Sequence, residues 1–349
     1  MADVLLKYVS YHTSDVTPEI LREALLEHST REQVRLIIET VNGVGLNAIT
    51  VAVIRKELTM LKLLLDLFEQ LVRFRLIVSG NGMFEAAERG YFKIVEYMLH
   101  SLPLQLREEL MMMVDHSGQI ALHYAIREGY FDVVKCMMAA LPEDTRFNLL
   151  RMQCFSGNAA LHFASSLNYP KIVKFLIQSV AAEHQRVELL SIPGGERNLP
   201  IDCAAKLKCP DVMRKIVDLV PRDQLFQLFQ TRERGGSPTL HFAASYSCTE
   251  TVQCILEKLS AEERFELIAM PGQLRPSPIF TAAWHGHIET VVCMVKMLTR
   301  PQQVQLSEQI DIDGLQGVVE KRNSPESTQL LNWISSIKAF QTVLSGKCV

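Results

Sequence analysis

Residues 235–256 read GGSPTLHFAASYSCTETVQCIL, a stretch that holds a histidine and two cysteines, His241, Cys248 and Cys254. Read alone, these side chains indicate a metal site or a redox pair of thiols. Zinc sites use about four ligands and bring cysteines in close pairs, whereas no two cysteines in this chain are separated by two to four residues. The meaning of the stretch therefore depends on where else in the chain its pattern recurs.

The same pattern recurs at an interval of 39 or 40 residues, with 34 residues between the first two copies. Examples are ALHYAIREGYFDVVKCMM at 121–138, ALHFASSLNYPKIVKFLI at 160–177 and PIDCAAKLKCPDVMRKIV at 200–217. Seven copies are in register, and the slot of His241 is filled in chain order by Thr50, Phe84, His123, His162, Asp202, His241 and Phe280. A fixed interval of this length predicts a repeat architecture in which each copy packs on the next.

The cysteines of the opening stretch keep their place within this repeat. Cys254 occupies the slot of Cys136 and Cys293, and Cys248 occupies that of Cys209. Side chains that recur at one register position indicate packing, because a free cysteine behaves as a small buried hydrophobe. We therefore expect no metal and no cofactor at this stretch or elsewhere in the chain.

Each copy of the repeat predicts the same secondary structure. A turn containing Gly or Asn precedes a short first helix, and a second helix follows with apolar residues at i, i+3 and i+4. Small residues at the centre of the first helix let neighbouring helices approach closely. These central residues are Ala125, Ala164, Ala204, Ala243 and Ala282.

The copies resemble the ankyrin repeat, whose consensus has a turn, a T-P-L-H-x-A helix start and a second apolar helix. The matching strings are SPTLHFAA (237–244), NAALHFA (158–164) and QIALHYA (119–125), with WHGH at 284–287. The resemblance covers roughly residues 18–345 and implies an all-α solenoid of stacked helix pairs. Where Asp202, Phe280, Phe84 and Thr50 replace the motif histidine, it implies that the hydrogen bonds of that side chain are missing.

The period is longer than the 33 residues usual in that family. The surplus is a connector with a charged middle, often opened by proline, which predicts one extra helical turn per repeat and proline at its first helical position. A leucine in each connector is predicted to fill the gap between neighbouring repeats. These leucines are at 110, 149, 189, 228, 267 and 306.

The predicted organisation has four parts. An N-terminal segment (1–17) precedes a capping helix pair (18–45), in which Thr17 and Pro18 form the N-cap and first position of a helix. Ankyrin-like repeats follow (46–312), and a degenerate, more polar cap and tail (313–349) ends the chain. Terminal repeats need a polar outer face, which explains the change in composition.

The composition argues against several classes of function. The net charge is −3, from 36 basic and 39 acidic residues without a basic run, so nucleic acid and anionic membranes are not expected partners. Apolar windows are too short or too charged for a membrane-spanning helix. Eight cysteines without a secretory signal favour a reducing, cytoplasmic location.

No catalytic motif stands out in the sequence. GVGLNA at 43–48 fits a loose dinucleotide-binding pattern, but without a strand before it a turn is the better interpretation. Nothing assembles a nucleophile, a base and an oxyanion donor. We therefore predict that the chain is not an enzyme.

The resemblance also implies which residues face a partner, because in that family the turn tips and the residues after the first helix's small pair lie on the concave side. The turn positions are Gln119, Asn158, Asn198, Ser237 and Pro276. The predicted partner-binding residues are Arg127, Glu128, Leu167, Lys206, Leu207, Tyr246, Trp284 and His285. The earlier positions alternate arginine with glutamate, whereas the later ones are mostly apolar, and Trp284 has the alternative role of folding over a neighbouring repeat.

These observations predict a monomeric, non-catalytic scaffold or adaptor that binds a partner protein on the concave face of the solenoid. Two alternatives remain open. One is an effector of an intracellular bacterium, secreted into a host cell to act on host proteins, since long ankyrin repeats with such connectors are similar to those of these bacteria. The other is the recognition arm of a larger enzyme whose catalytic part is absent from this chain.

Overall fold

The computed structural model describes residues 1–10, 16–231, 238–271, 277–321 and 325–344, with side chains up to residue 338. In these ranges all regular structure is α-helical, in 26 helices, and no helix is long and apolar enough to cross a membrane. The chain divides into unit 1 (1–155) and unit 2 (156–349). The predicted all-α fold class, with stacked helix pairs and a connector helix, is confirmed.

Unit 1 repeats three helices in a fixed order, a first helix, a second helix and a connector helix. The first helices are α1 (Ala2–Val9), α4 (Ala48–Ile54), α7 (Gly82–Glu88) and α10 (Ala121–Arg127). The second helices are α2 (Pro18–Leu26), α5 (Leu58–Asp66), α8 (Phe92–His100) and α11 (Phe131–Ala139). The connectors are α3 (Thr30–Glu39), α6 (Gln70–Ser79), α9 (Leu104–Met112) and α12 (Glu143–Arg151).

Unit 2 follows the same order and ends on an incomplete repeat. Its first helices are α13 (Ala160–Ser166), α16 (Pro200–Lys206), α19 (Thr239–Ser245), α22 (Pro278–Trp284) and α25 (Ile312–Glu320). Its second helices are α14 (Pro170–Gln178), α17 (Pro210–Leu219), α20 (Thr249–Glu257), α23 (Ile288–Lys296) and α26 (Pro325–Leu344). Its connectors are α15 (Glu183–Leu190), α18 (Arg222–Gln230), α21 (Ala261–Ala269) and α24 (Arg300–Gln309).

Small side chains at the centres of the first helices allow the close stacking that the sequence predicts. Ala125, Ala164, Ala204, Ala243 and Ala282 are all fully buried. In unit 2, α13 packs on α16, α16 on α19 and α19 on α22, and the second helices stack in the same sequence order. The C-terminal ends of successive first helices therefore recur at a regular interval along the stack.

Hydrogen bonds from the motif slot join successive repeats. The Ala159 N–H donates to Nδ1 of His162 at 3.1 Å, and Nε2 of the same ring donates to the Asn198 carbonyl oxygen at 3.1 Å. Burial lowers the pKa of His162 to about 4. The ring is therefore neutral at pH 7 and keeps one donor and one acceptor for these two bonds.

Two of the substituted slots also make such bonds, so the prediction that they lack them was wrong. Asp202 accepts a hydrogen bond from the Leu199 N–H at 2.9 Å and another from the Thr239 hydroxyl at 2.6 Å. The Thr50 hydroxyl donates to the Gly80 carbonyl oxygen at 2.5 Å. A carboxylate or a hydroxyl at this slot reaches the next repeat as the imidazole does, because it is held at the same place on the first helix.

The remaining two substituted slots hold aromatic rings that make ring contacts. Phe84 meets Tyr124 of the next repeat edge to face, with ring centroids 6.0 Å apart. Phe280 stacks on Trp284 in its own helix, with centroids 6.3 Å apart. Such pairs contribute about 0.5–1.5 kcal/mol beyond the burial of their area.

The connectors are longer than the single helical turn that the sequence predicted, since each is a helix of eight to ten residues. Pro103, Pro142 and Pro221 were predicted at the first helical position, but each is the N-cap, one residue before the helix begins. All six leucines are buried, as side chains that fill the gap between repeats must be. Connectors pack on the following connector in pairs such as α6 with α9 and α21 with α24.

A polar side chain in most connectors caps the second helix before it. In each case a guanidinium or amide group donates to a carbonyl oxygen at the end of that helix, at 2.7–3.2 Å. In all seven cases the accepting residue lies two positions after the last helical residue, so the contact fixes the connector against the turn that follows the second helix. The capping residues are Gln33, Arg73, Arg107, Arg146, Arg186, Arg264 and Gln303, and in α18 the buried Leu225 takes the slot.

Arg264→Met is expected to lower the free energy of unfolding by about 2 kcal/mol, because hydrogen bonds from a charged donor contribute about 1.5–3 kcal/mol. Arg264 Nε lies 2.7 Å from the Leu256 carbonyl oxygen and 3.0 Å from that of Leu259. Methionine keeps much of the apolar stem while removing the donor. Urea unfolding followed by circular dichroism measures the change.

The matched control is Arg214→Met, which removes an arginine that forms exposed ion pairs with Asp211 and Glu250. Exposed pairs contribute about 0–1 kcal/mol, so this variant is expected to unfold close to the wild type. Equal urea midpoints for the two variants would show that the capping contact does not stabilise the repeat.

The N-terminal segment 1–17 contains α1, which packs on α2, α3 and α4. The Tyr8 hydroxyl donates to the Glu57 carboxylate at 2.8 Å, and the Arg55 guanidinium donates to the carbonyl oxygens of Tyr8 and Ser10. Thr17 accepts from the backbone at the start of α2, as predicted for its N-cap. Helices α1–α3 therefore follow the order of a full repeat.

Candidate partner-binding surface

Four apolar side chains form a surface feature of unit 2 that we name the apolar row, Leu167, Leu207, Tyr246 and Trp284. Their exposed fractions are 42, 53, 42 and 64%. The first three share one register slot, the C-cap of α13, α16 and α19, whereas Trp284 lies one position earlier as the last residue of α22. All four therefore lie at the same end of successive first helices.

The backbone after each first helix explains why this end stays exposed. The next residue adopts a left-handed conformation, with φ of 56° at Asn168, 57° at Lys208 and 56° at Ser247, and Gly286 follows His285 with φ of 80°. A left-handed residue ends a helix and turns the chain towards the second helix. The side chain at the C-cap is thereby left outside the packed layer.

Exposure of large apolar residues in unit 2 is confined to this row. Within the described residues between 156 and 338, every other large apolar side chain is less than 36% exposed. Scattered apolar residues are normal on a surface, but one per repeat at one end of the first helices is an ordered patch. Such a patch is typical of a contact surface.

Trp284 and His285 are both exposed at the end of α22. The Trp284 ring stacks on Phe280 of its own helix at an interplanar angle of 19°. His285 stacks on His287, whose Nε2 donates to the Ser245 carbonyl oxygen of the preceding repeat at 3.0 Å.

A groove of about 560 Å³, the Leu207 groove, lies beside the apolar row. One wall is the end of α16, and the other is formed by two turns that precede α13 and α16. Its lining residues are Ser156, Asn158, Ser166, Gly194, Gly195, Glu196, Asn198, Cys203, Lys206 and Leu207. The groove therefore combines an apolar contact at Leu207 with polar side chains on both walls.

Charge in the Leu207 groove is paired. The Lys206 ammonium forms a salt bridge with Glu196, and this hydrogen bond raises the pKa of Lys206 and lowers that of Glu196. Glu196 also accepts from the Asn198 amide at 3.1 Å. Lys206 was predicted as a site residue, whereas Glu196 was not, because its role depends on a turn that brings it back over α16.

In unit 1 the predicted residues Arg127 and Glu128 lie in a network of exposed charges. The Arg127 guanidinium lies 3.2 Å from Glu88 of the preceding repeat, 3.4 Å from Glu128, and over the Tyr124 ring at 4.8 Å from its centroid. Exposed ion pairs are worth little. These side chains can therefore exchange partners at low cost, and their part in binding stays a prediction.

The histidine and cysteines of the opening stretch are packing residues. His241, Cys248 and Cys254 are 1, 4 and 9% exposed. Burial raises the pKa of the Cys254 thiol, and all seven cysteines in the described ranges are free thiols. Among the side chains that the structure describes, no cluster of three metal ligands is present.

The turn positions can be compared with the prediction only in part. Asn158 and Asn198 line the Leu207 groove, and their part in binding stays a prediction. Ser237 and Pro276 lie outside the described residues. Residues 43–45 of GVGLNA form a turn before the N-cap Asn47 of α4, which matches the interpretation given to that motif.

Comparison with known proteins agrees with this geometry. A family model described as ankyrin repeats, in three copies, matches residues 83–188. Residues 83–188 therefore match ankyrin repeats. The crystal structure of the ankyrin repeat domain of Bcl-3, described as a unique member of the IkappaB protein family, aligns with a TM-score of 0.56 and 16% identity, over 71% of this chain and 99% of that chain. At this identity the likeness concerns the fold, and no curated protein sequence matches the chain.

Proposed function

We propose that this ankyrin-repeat protein is a non-catalytic scaffold or adaptor that binds a partner protein through the apolar row of unit 2. Ankyrin repeats are protein-interaction modules. The observation that carries the proposal is that, among the described residues of unit 2, the exposed large apolar side chains all lie at the ends of first helices. An exposed apolar patch of this kind lowers solubility unless it is covered in the functional state of the protein. Contact with another protein covers it.

Tyrosine and tryptophan make this surface suited to a tight contact. Both residue types are enriched among the few positions that dominate interface energy, since they bury a large area at a small entropic cost. Tyr246 and Trp284 are 42 and 64% exposed, so a large part of that area is still available for burial. Lys206 and Glu196 lie beside Leu207 and supply a polar rim.

Free thiols support an intracellular place of action. The seven cysteines in the described residues are unpaired with one another, and burial raises the pKa of thiols such as Cys136 and Cys203, each to about 11. Such thiols stay protonated and unreactive at neutral pH. A reducing compartment preserves this state.

Photo-crosslinking from position 246 tests the proposal. Tyr246→benzoylphenylalanine, in cells that express the full chain, is expected to crosslink one dominant partner, which mass spectrometry identifies. The matched control places the same residue at Gln253, which is exposed on the second helix α20 of the same repeat. Equal crosslinking from the two positions, or none from position 246, would contradict the proposal.

The identified partner then permits a measurement of affinity. Tyr246→Ala combined with Trp284→Ala is expected to weaken binding at least about thirtyfold, since a single hot-spot residue is worth about 2 kcal/mol or more. The circular dichroism spectrum should match the wild type, and the free energy of unfolding should fall by only about 1–2 kcal/mol, because the variant loses the stacking of Trp284 on Phe280 but no fully buried side chain. Unchanged affinity in a folded double variant would exclude the row as the contact.

A further inference from the structure

The dipeptide Asn-Gly occurs twice in unit 1, at Asn42–Gly43 and at Asn81–Gly82. In such a pair the backbone nitrogen of the glycine can attack the side-chain amide of the asparagine, because glycine has no Cβ atom to obstruct the approach. The attack requires a mobile side chain and a backbone that can leave its folded geometry. The surroundings of the two asparagines therefore decide which pair reacts in the folded protein.

The Asn42 side chain is fixed by hydrogen bonds. Its Oδ1 atom accepts from the backbone N–H groups of Val44 at 3.1 Å and Leu46 at 2.9 Å, and its Nδ2 atom donates to the Val9 carbonyl oxygen at 3.3 Å. The residue is 9% exposed. These three bonds hold the side-chain amide away from the Gly43 nitrogen, so they protect this pair.

Asn81 is held differently, as the exposed N-cap of α7. Within the part of the chain that the structure describes, its side chain makes no capping hydrogen bond. Its backbone is left-handed, with φ of 51° and ψ of 22°, a region that is unfavourable for residues other than glycine. Gly82 is the first residue of α7, so its N–H has no partner within the helix. The attacking nitrogen therefore has no helical hydrogen bond to lose, and the amide has no capping bond to lose.

The fold selects both residues of this second pair. A Cβ atom at Gly82 would lie 3.1 Å from the terminal methyl carbon of Met98 and 3.5 Å from methyl carbons of Ile49 and Val53. An added methyl group would have to displace these side chains in a packed core. Asparagine is one of the few residues that adopt the left-handed backbone found at position 81. Packing and backbone geometry thus place a reactive dipeptide at an exposed helix start.

We propose that Asn81–Gly82 is a deamidation site of the folded protein, with water as the co-reactant. The Gly82 nitrogen forms a bond to Cγ of Asn81, the bond between Cγ and Nδ2 breaks, and ammonia leaves with the proton of the Gly82 N–H. Water then opens the resulting succinimide ring at one of its two carbonyl carbons. Opening at Cγ gives aspartate, whereas opening at the main-chain carbon gives isoaspartate, whose main chain runs through Cγ and is one atom longer.

The isoaspartate product changes the contact between two repeats. The Gly80 carbonyl oxygen, next to Asn81, accepts the hydrogen bond from the Thr50 hydroxyl, and α4 packs on α7. A longer main chain after residue 81 shifts the start of α7 relative to this bond. Asn81→Asp reproduces the aspartate product alone, so its amides at 79–88 should exchange more slowly than those of aged protein that contains isoaspartate. Equal exchange would overturn this consequence.

Incubation of the full chain in mildly alkaline buffer, followed by tryptic digestion and mass spectrometry, tests the proposal. Trypsin releases residues 76–89 with Asn81 and residues 36–55 with Asn42, and fragmentation locates the replacement of NH₂ by OH. Asn81 is expected to react at least about tenfold faster than Asn42, because three hydrogen bonds protect Asn42. A rate at Asn81 no higher than that at Asn42 would overturn the proposal.

Two controls in urea separate the effect of the fold from that of the dipeptide. In the unfolded chain both asparagines lose their surroundings and should react at similar rates. Gly82→Ala, measured in urea where its folding does not matter, should slow the reaction at Asn81 about tenfold or more, because the added Cβ atom obstructs the attacking nitrogen. If Asn42 stays much slower than Asn81 in urea, or if Gly82→Ala reacts like the wild type, the proposed structural control of this site is wrong.

Discussion

Gly195→Ala is expected to lower the free energy of unfolding of unit 2 by about 2 kcal/mol or more, because the new methyl group has no space. A Cβ atom at this position lies 1.7 Å from the Ser156 carbonyl oxygen and 2.9 Å from its carbonyl carbon. Both atoms belong to the backbone, so a side-chain rotation cannot relieve the overlap. The two turns that wall the Leu207 groove must therefore move apart.

The opposite turn shows the same close approach. Gly157 adopts φ of 81°, and a Cβ atom there lies 2.8 Å from the Gly195 Cα atom. A left-handed backbone favours glycine, since other residues lose about 1 kcal/mol or more in that region. Glycine at both positions thus lets two backbones meet without side chains between them.

Amide hydrogen exchange and urea unfolding measure the effect of Gly195→Ala. Faster exchange is expected in the two turns at 154–158 and 192–198, together with a lower urea midpoint. Gly43→Ala is the matched control, because Gly43 lies in a turn with no atom within 4 Å of an added Cβ. If Gly195→Ala exchanges and unfolds like this control, the turns do not pack as the structure places them.

Much of the fold follows from the register of the sequence. The slot of His162 and the buried alanines recur at a fixed interval, and each recurrence takes the same place in the stack. Exposure of Leu167, Leu207 and Tyr246 also follows from register, since all three take the C-cap slot. Their role in binding stays a prediction, because exposure alone does not identify a partner.

Other features depend on which atoms of successive repeats meet. Asp202 accepts a hydrogen bond from Thr239, 37 residues further along the chain, and Thr50 donates one to Gly80, 30 residues further along. Both slots differ from the motif in residue type, and the residue type alone does not show that the side chain can still reach the next repeat. The Leu207 groove was missed for a similar reason, since its wall forms only when Gly195 meets Ser156.

The connectors make contacts that the repeat period of the sequence does not predict. Their sequence predicted one extra helical turn per repeat, and arginines in their charged middle donate to carbonyl oxygens at the ends of the second helices. Arg264 lies eight residues beyond Leu256 in the chain, yet its Nε is 2.7 Å from that carbonyl oxygen. A guanidinium that folds back onto a helix end looks, in sequence, like any exposed charge.

Asp202→Asn is expected to raise the free energy of unfolding at pH 7 by about 3 kcal/mol, because the wild-type carboxylate is buried. Asp202 is 3% exposed. Burial raises its pKa from 3.8 to about 6, while the hydrogen bonds from Thr239 and the Leu199 N–H lower it by less. Asparagine keeps an acceptor for the Leu199 N–H and offers a donor to the Thr239 hydroxyl, without the cost of a buried charge.

The sign of the pH dependence distinguishes this effect from a simple repacking. Well below pH 3.8 the carboxyl group is protonated in both states of the wild type, so the two proteins should differ little. As the pH rises from 3.8 to about 6 the unfolded chain loses the proton first, so the wild type loses stability and the advantage of Asp202→Asn grows to a plateau above pH 6. Urea unfolding from about pH 3 to about pH 8 measures this curve, and Asp218→Asn, at an exposed salt bridge with Lys258, serves as the control that should stay close to the wild type. An advantage that is constant with pH, or a loss of stability above pH 6, would mean that Asp202 is not held as a buried, costly carboxylate between the two repeats.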